Sequence, residues 1–137
     1  MVRHSFVVAA VALAGAALSA SCDETTGFPD AGPPDATPLP GTISLTWSID
    51  GGQTCADLGA SGMVLGIRLT DSPVGEPDSY SCDSLMGTTG PLTPGSYVLT
   101  FDLVFGANTL ASAPTQTDVI VTAGQNTDIG NIVFTPE

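Results

Sequence analysis

The chain predicts an all-β protein, an antiparallel β-sandwich of six to seven strands, and three observations carry that prediction. After residue 21 apolar residues recur at every second position and not at the 3.6-residue spacing of a helix. The alternating segments are short. Clusters of Gly, Pro, Asp and Ser separate them at regular intervals.

Residues 42–49, TISLTWSI, alternate strictly: Ile43, Leu45, Trp47 and Ile49 share one face, and Thr42, Ser44, Thr46 and Ser48 the other. That is a half-buried strand with Trp47 in the core. Residues 50–62, DGGQTCADLGASG, are rich in turn formers and predict a loop. Residues 63–70, MVLGIRLT, predict a strand with Met63, Leu65, Ile67 and Leu69 on one face and Arg68 on the other. Residues 71–79, DSPVGEPDS, carry two prolines and predict a second loop. Residues 80–87, YSCDSLMG, predict a short, weak strand around Cys82. The clearest strand is SYVLTFDLVFG, residues 96–106: Tyr97, Leu99, Phe101, Leu103 and Phe105 alternate with Val98, Thr100, Asp102 and Val104. A short strand is expected at residues 109–112. A closing pair, residues 118–122 and 128–134, is joined by AGQN. No substantial helix is expected beyond residue 21.

The first 40 residues differ in kind. A weakly basic start, Met1 to His4, leads into the 13-residue apolar run FVVAAVALAGAAL and then LSASC. The run has the length of a signal-peptide core and is too short to span a bilayer comfortably. This stretch resembles the signal peptide of a bacterial lipoprotein, with LSASC as its lipobox, although Ser19 stands where that family most often has leucine. The resemblance implies a helical signal peptide over residues 1–21 and a thioether-linked diacylglycerol on Cys22. It also implies a membrane-anchored lipoprotein of the bacterial cell envelope, periplasmic or surface-facing. A secretory signal followed by a free thiol, and an uncleaved anchor helix, are the other readings of the same run. Residues 23–40, DETTGFPDAGPPDATPLP, hold five of the eleven prolines and four acids. With so little apolar surface, residues 22–40 predict a disordered, proline-stiffened tether, in which residues 23–40 reach at most about 55 Å. Residues 41–137 then make up the sandwich domain.

Within that domain LTPGSY, residues 92–97, resembles a turn of the transthyretin-like sandwiches, which include carboxypeptidase regulatory-like domains and Cna-B repeats; an Ig-like sandwich is the related alternative. The resemblance extends to VIVTAGQNTDIGNIVF as a closing hairpin. Pro94-Gly95 suits a type II turn, with Tyr97 pointing inward. The Lys–Asn isopeptide bond of many Cna-B repeats is impossible here, because the chain has no lysine.

Three cysteines are an odd number. Pairing Cys55 with Cys82 leaves Cys22 over, where a lipid would occupy its sulfur. Disulfides persist in exported proteins, and this one would contribute about 3.5 kcal/mol in the chain-entropy picture. Its rival, a metal site, would be poorly served by two thiolates with no histidine nearby.

Composition removes most chemistry. The net charge is −12, with 14 acids against Arg3 and Arg68; His4 is the one histidine. Such a surface repels nucleic-acid phosphates. Without histidine or lysine past residue 21, Ser-His-Asp and Cys-His catalysis, Schiff bases and P-loops have no reactive group. A carboxylate pair for glycoside cleavage is available in principle, yet no pair stands out. The protein is therefore expected to be no enzyme and to need no cofactor.

Two ligand readings remain. Asp50, Asp57, Asp71, Glu76, Asp78 and Asp83 fall in or beside predicted loops, and calcium takes such oxygen ligands. DGGQTCADLGAS misses the EF-hand pattern because Ser61 stands at its twelfth position, and solvated loop acids are the plainer account. A carbohydrate would need an exposed aromatic, and Tyr80 is the one aromatic in a loop context. The leading expectation is a lipid-anchored structural or protein-interaction module whose partners are the membrane and an envelope protein or glycan. A calcium- or carbohydrate-binding accessory domain on the same anchor is the alternative.

Overall fold

Seven strands form in the computed structural model, which describes residues 36–137. Cys22, the signal-like run and most of the tether lie outside the described residues. Strand β1 (Thr42–Ile49) is central in a three-stranded sheet, between β4 (Met86–Thr88) and β7 (Asn126–Phe134). The second sheet has the order β3-β2-β5-β6, with β2 at Gly62–Leu69, β3 at Gly75–Ser81, β5 at Gly95–Phe105 and β6 at Asn108–Val121. The two sheets enclose one core, so the fold is the all-β sandwich that the alternation predicts.

Period two decides what that core contains. Ile43, Leu45, Trp47 and Ile49 of β1 meet Met63, Leu65 and Ile67 of β2 and Tyr97, Leu99, Phe101 and Leu103 of β5. Phe134 and Ile132 come from β7, and Ala111, Ala113, Val119 and Val121 from β6. Trp47 is 2 % exposed and Phe101 1 %. The Trp47 indole donates its N–H to the Cys82 carbonyl oxygen at 3.1 Å, so the ring is buried without an orphaned donor. Phe105 departs from the pattern: it lies at the last position of β5, past the end of the core, and is 59 % exposed.

Several boundaries correct the sequence reading. Residues 75–81, expected to be mostly loop, form β3, which pairs with β2 from Gly62↔Ser81 to Arg68↔Gly75. It is an edge strand, where Pro77 is tolerated. The weak strand expected over residues 80–87 is broken at Cys82–Ser84 by a 3₁₀ turn, with Leu85 in the left-handed region at φ 53°. Residues 109–112 and 118–122 belong almost wholly to one strand, β6, whose register shifts against β5 accommodate Pro114 and Asp118. Inside the loop over residues 50–62 a four-residue helix α1 (Cys55–Leu58) forms, capped by Thr54. Gly95 does not take the positive φ of a type II turn; it opens β5 in register with Val121.

The closing hairpin is the largest correction. β6 and β7 lie in different sheets, and β7 runs parallel to β1 from Thr42↔Asn126 to Ile49↔Phe134. The chain arches between the sheets over residues 122–125. Gln125 accepts from the Thr42 N–H at 3.0 Å, and the Gly124 N–H donates to Pro40 at 3.2 Å. A Cβ on Gly41 would stand 2.5 Å from the Thr122 oxygen, so only glycine lets β1 start this close to the arch.

Candidate functional site

The disulfide forms between Cys55 and Cys82, with Cα atoms 5.9 Å apart. Cys55 opens α1 and Cys82 opens the 3₁₀ turn after β3, and both are buried. The Cys82 N–H donates to the Ser61 oxygen at 3.3 Å, so backbone and sulfur together hold the β1–β2 connection against the end of β3.

The acids raised as calcium candidates are not brought together. Asp50 lies in a 3₁₀ turn after β1 and accepts from the Gly51 N–H at 2.8 Å. Asp57 forms a capping box with Thr54, accepting from the Thr54 N–H at 2.8 Å and from its hydroxyl at 2.7 Å. These bonds, the backbone one foremost, hold the Asp57 carboxyl below the usual carboxylate range. Asp71 is in the turn after β2, and Asp83 in the 3₁₀ turn after β3. Glu76 and Asp78 lie on strand β3 rather than in a loop. Among the described residues no three of His, Cys, Asp or Glu are grouped to hold a metal ion.

Tyr80 is likewise on β3 and not in a loop. Its ring packs partly buried against the core, with its centroid 5.9 Å from that of Trp47. Its hydroxyl donates to Asp78 Oδ2 at 3.4 Å. Burial, then the charge of Asp78 and that hydrogen bond, push the Tyr80 phenol from its ordinary 10.0 up to about 12. Gly87 of β4 lies directly over the ring: a Cβ there would stand 2.8 Å from two ring carbons.

That contact makes one wall of a depression of about 470 Å³ on the outer face of the three-stranded sheet. Two rows of side chains, all polar but Met86, cross this face. Thr88, Ser44 and Asp128 are in register in one, and Met86, Thr46 and Asn131 in the other. The depression lies where β4 and β1 meet, reaching Tyr80 on one side and Asp128 on the other. Its polar groups are held in place. Ser44 accepts from the Asn126 amide at 2.8 Å, and Asp128 Oδ1 accepts from the Gly130 N–H at 2.9 Å. Gly130, at φ 77°, belongs to the bulge that shifts the β1–β7 register and aims Asp128. Ser84 donates to the Ser81 and Met86 oxygens at 2.7 and 3.0 Å and fixes the approach to β4.

The hydroxyl face of β1 was visible as T-x-S-x-T-x-S; its partners across the sheet were not. Asp128, Thr88 and Gly87 lie more than 40 residues in sequence from the β1 residues they pair with, Ser44 and Leu45, and no local pattern announces their pairing. A second cleft, about 440 Å³, lies beside β3 between Arg68, Glu76, Asp78 and the residues around Leu92. Arg68 there donates to the Ser72 oxygen at 3.3 Å. No protein-family model matches this chain, and no curated protein matches its sequence.

Proposed function

We propose that this protein is a lipid-anchored, non-enzymatic module of a bacterial cell envelope, in which Cys22 carries the lipid and the β-sandwich binds or braces a neighbour. The observation that carries the reading is the apolar run ending in LSASC, followed at once by an acidic, proline-rich tether. The Cys55–Cys82 disulfide supports it, because it suits an oxidising compartment and leaves Cys22 as the odd cysteine. More than one acyl chain gives stable anchoring at about 0.8 kcal/mol per buried CH₂. The residue inventory past position 21, with no histidine or lysine, supports a binding role over a catalytic one.

Membrane fractionation in a bacterial host tests the reading. The wild type should sediment with membranes, resist a carbonate wash and dissolve in detergent. Cys22→Ser should move to the soluble exported fraction. Equal partition of the two proteins would overturn the anchor.

A further inference from the structure

We infer that the depression between β4 and β1 is a binding site for a neutral saccharide, which names the kind of neighbour the proposed envelope module engages and rests on that reading. The site is built from Tyr80, Met86, Thr88, Ser44 and Asp128, with Gly87 as its bare floor. Its chemistry combines apolar and polar surface in the manner of small-molecule sites. Met86, 63 % exposed, and the partly buried Tyr80 ring offer apolar surface for the C–H face of a pyranose. The hydroxyls of Ser44 and Thr88 both donate and accept, as sugar hydroxyls do. Asp128 is acceptor-only when ionised, and one of its oxygens remains after the Gly130 bond, suiting a sugar hydroxyl pair as donor.

Three other ligand classes fit less well. Anions face Asp128 and a chain of net charge −12, with no lysine or arginine lining the depression. An extended peptide adds along a free strand edge, but the edge here is β4, only three residues long, and the depression lies on the sheet face. A bare metal ion would find one carboxylate. Preorganisation favours the saccharide further, because the Asn126–Ser44 and Gly130–Asp128 bonds hold two contacts in place before binding.

The probe set is a panel of neutral oligosaccharides, including glucans and N-acetylglucosamine oligomers, with uronic and sulfated oligosaccharides as the charged counterparts. The full chain in detergent is titrated with each, and Trp47 fluorescence reports binding, since Trp47 contacts Tyr80. At least one neutral saccharide should bind with a Kd of about 1 mM or tighter. Asp128→Asn keeps the Gly130 bond and should weaken it about fivefold, as should Thr88→Val. Asp102→Asn, on the outer face of the other sheet, should leave the Kd within about twofold. Circular dichroism of each variant checks that the fold is kept. No neutral ligand in the panel, tighter binding of the charged oligosaccharides, or indifference to both Asp128→Asn and Thr88→Val would overturn the site. None of those results touches the anchor, which membrane fractionation reads separately.

Discussion

Phe101 and Asp102 are consecutive residues of β5 with opposite surroundings. Phe101 is enclosed between the sheets, whereas Asp102 is half-buried on the outer face and accepts a hydrogen bond from Ser112. Phe101→Ala should cost about 3–5 kcal/mol, through lost transfer energy and the cavity left behind. Asp102→Ala should cost under about 1 kcal/mol, the worth of one hydrogen bond near solvent. Urea titrations of the two variants measure the contrast, and the reverse order would mean that the faces of β5 are exchanged. Gly87→Ala should cost about 1–3 kcal/mol, because the new methyl group must displace the Tyr80 ring or the backbone. Tyr80 also makes stability depend on pH. Its raised pKa means that the folded chain holds the phenol proton more tightly than the unfolded chain. Its contribution is therefore complete below about pH 10 and is lost as pH rises toward about 12. Tyr97 shifts the same way by burial. Tyrosinate absorbance in native and urea-unfolded protein should show titration of Tyr80 delayed in the native state. Coincident curves would place the ring in solvent. In sequence Tyr80 reads as a loop aromatic, because two prolines and two acids precede it closely and its burial depends on Gly87 from a distant strand.

At the level of elements, legibility followed the environment of each strand. The central strands β1, β2 and β5 are covered on one face by the core, so their alternation is plain, broken only where Leu69 and Phe105 at the strand ends are exposed and Val98 is buried, and their bounds emerge within one or two residues. Edge strand β3 carries Glu76, Pro77 and Asp78, the residues that guard a sheet edge against further pairing, and these same residues read locally as a turn. The arch over residues 122–125 reads as a hairpin because a hairpin and a crossing between sheets use the same turn residues. The difference lies in Gly41 and the β1 pairing, which are long-range. The disulfide was legible once the LSASC resemblance set Cys22 aside, because three cysteines by count alone allow three pairings. Its removal in Cys55→Ala/Cys82→Ala should cost about 2–5 kcal/mol by denaturant titration, since it ties the β1–β2 connection to the end of β3. A cost near zero would mean that the backbone bonds around Ser61 and Cys82 suffice on their own.

At the scale of the whole molecule, charge and topology set the surroundings of the sandwich. The sandwich surface carries many acids and one arginine, which keeps copies apart and disfavours anionic partners. The chain enters the sandwich at the end formed by residues 38–41, around Leu92 and the 122–125 arch, and the disulfide lies at the opposite end of β1. The hydroxyl face with its depression runs along the side between these ends. That site was half legible: the Ser and Thr of β1 are plain in TISLTWSI, while Asp128 and Thr88 reach it only through sheet pairing. The central claim is that Cys22 anchors the protein by lipid. Metabolic labelling with radioactive palmitate tests it most directly. Label should enter the wild-type protein and be absent from Cys22→Ser, with Cys55→Ala/Cys82→Ala labelled as fully as the wild type. Equal labelling of wild type and Cys22→Ser, or no labelling of either in a host that labels its own lipoproteins, would contradict the account.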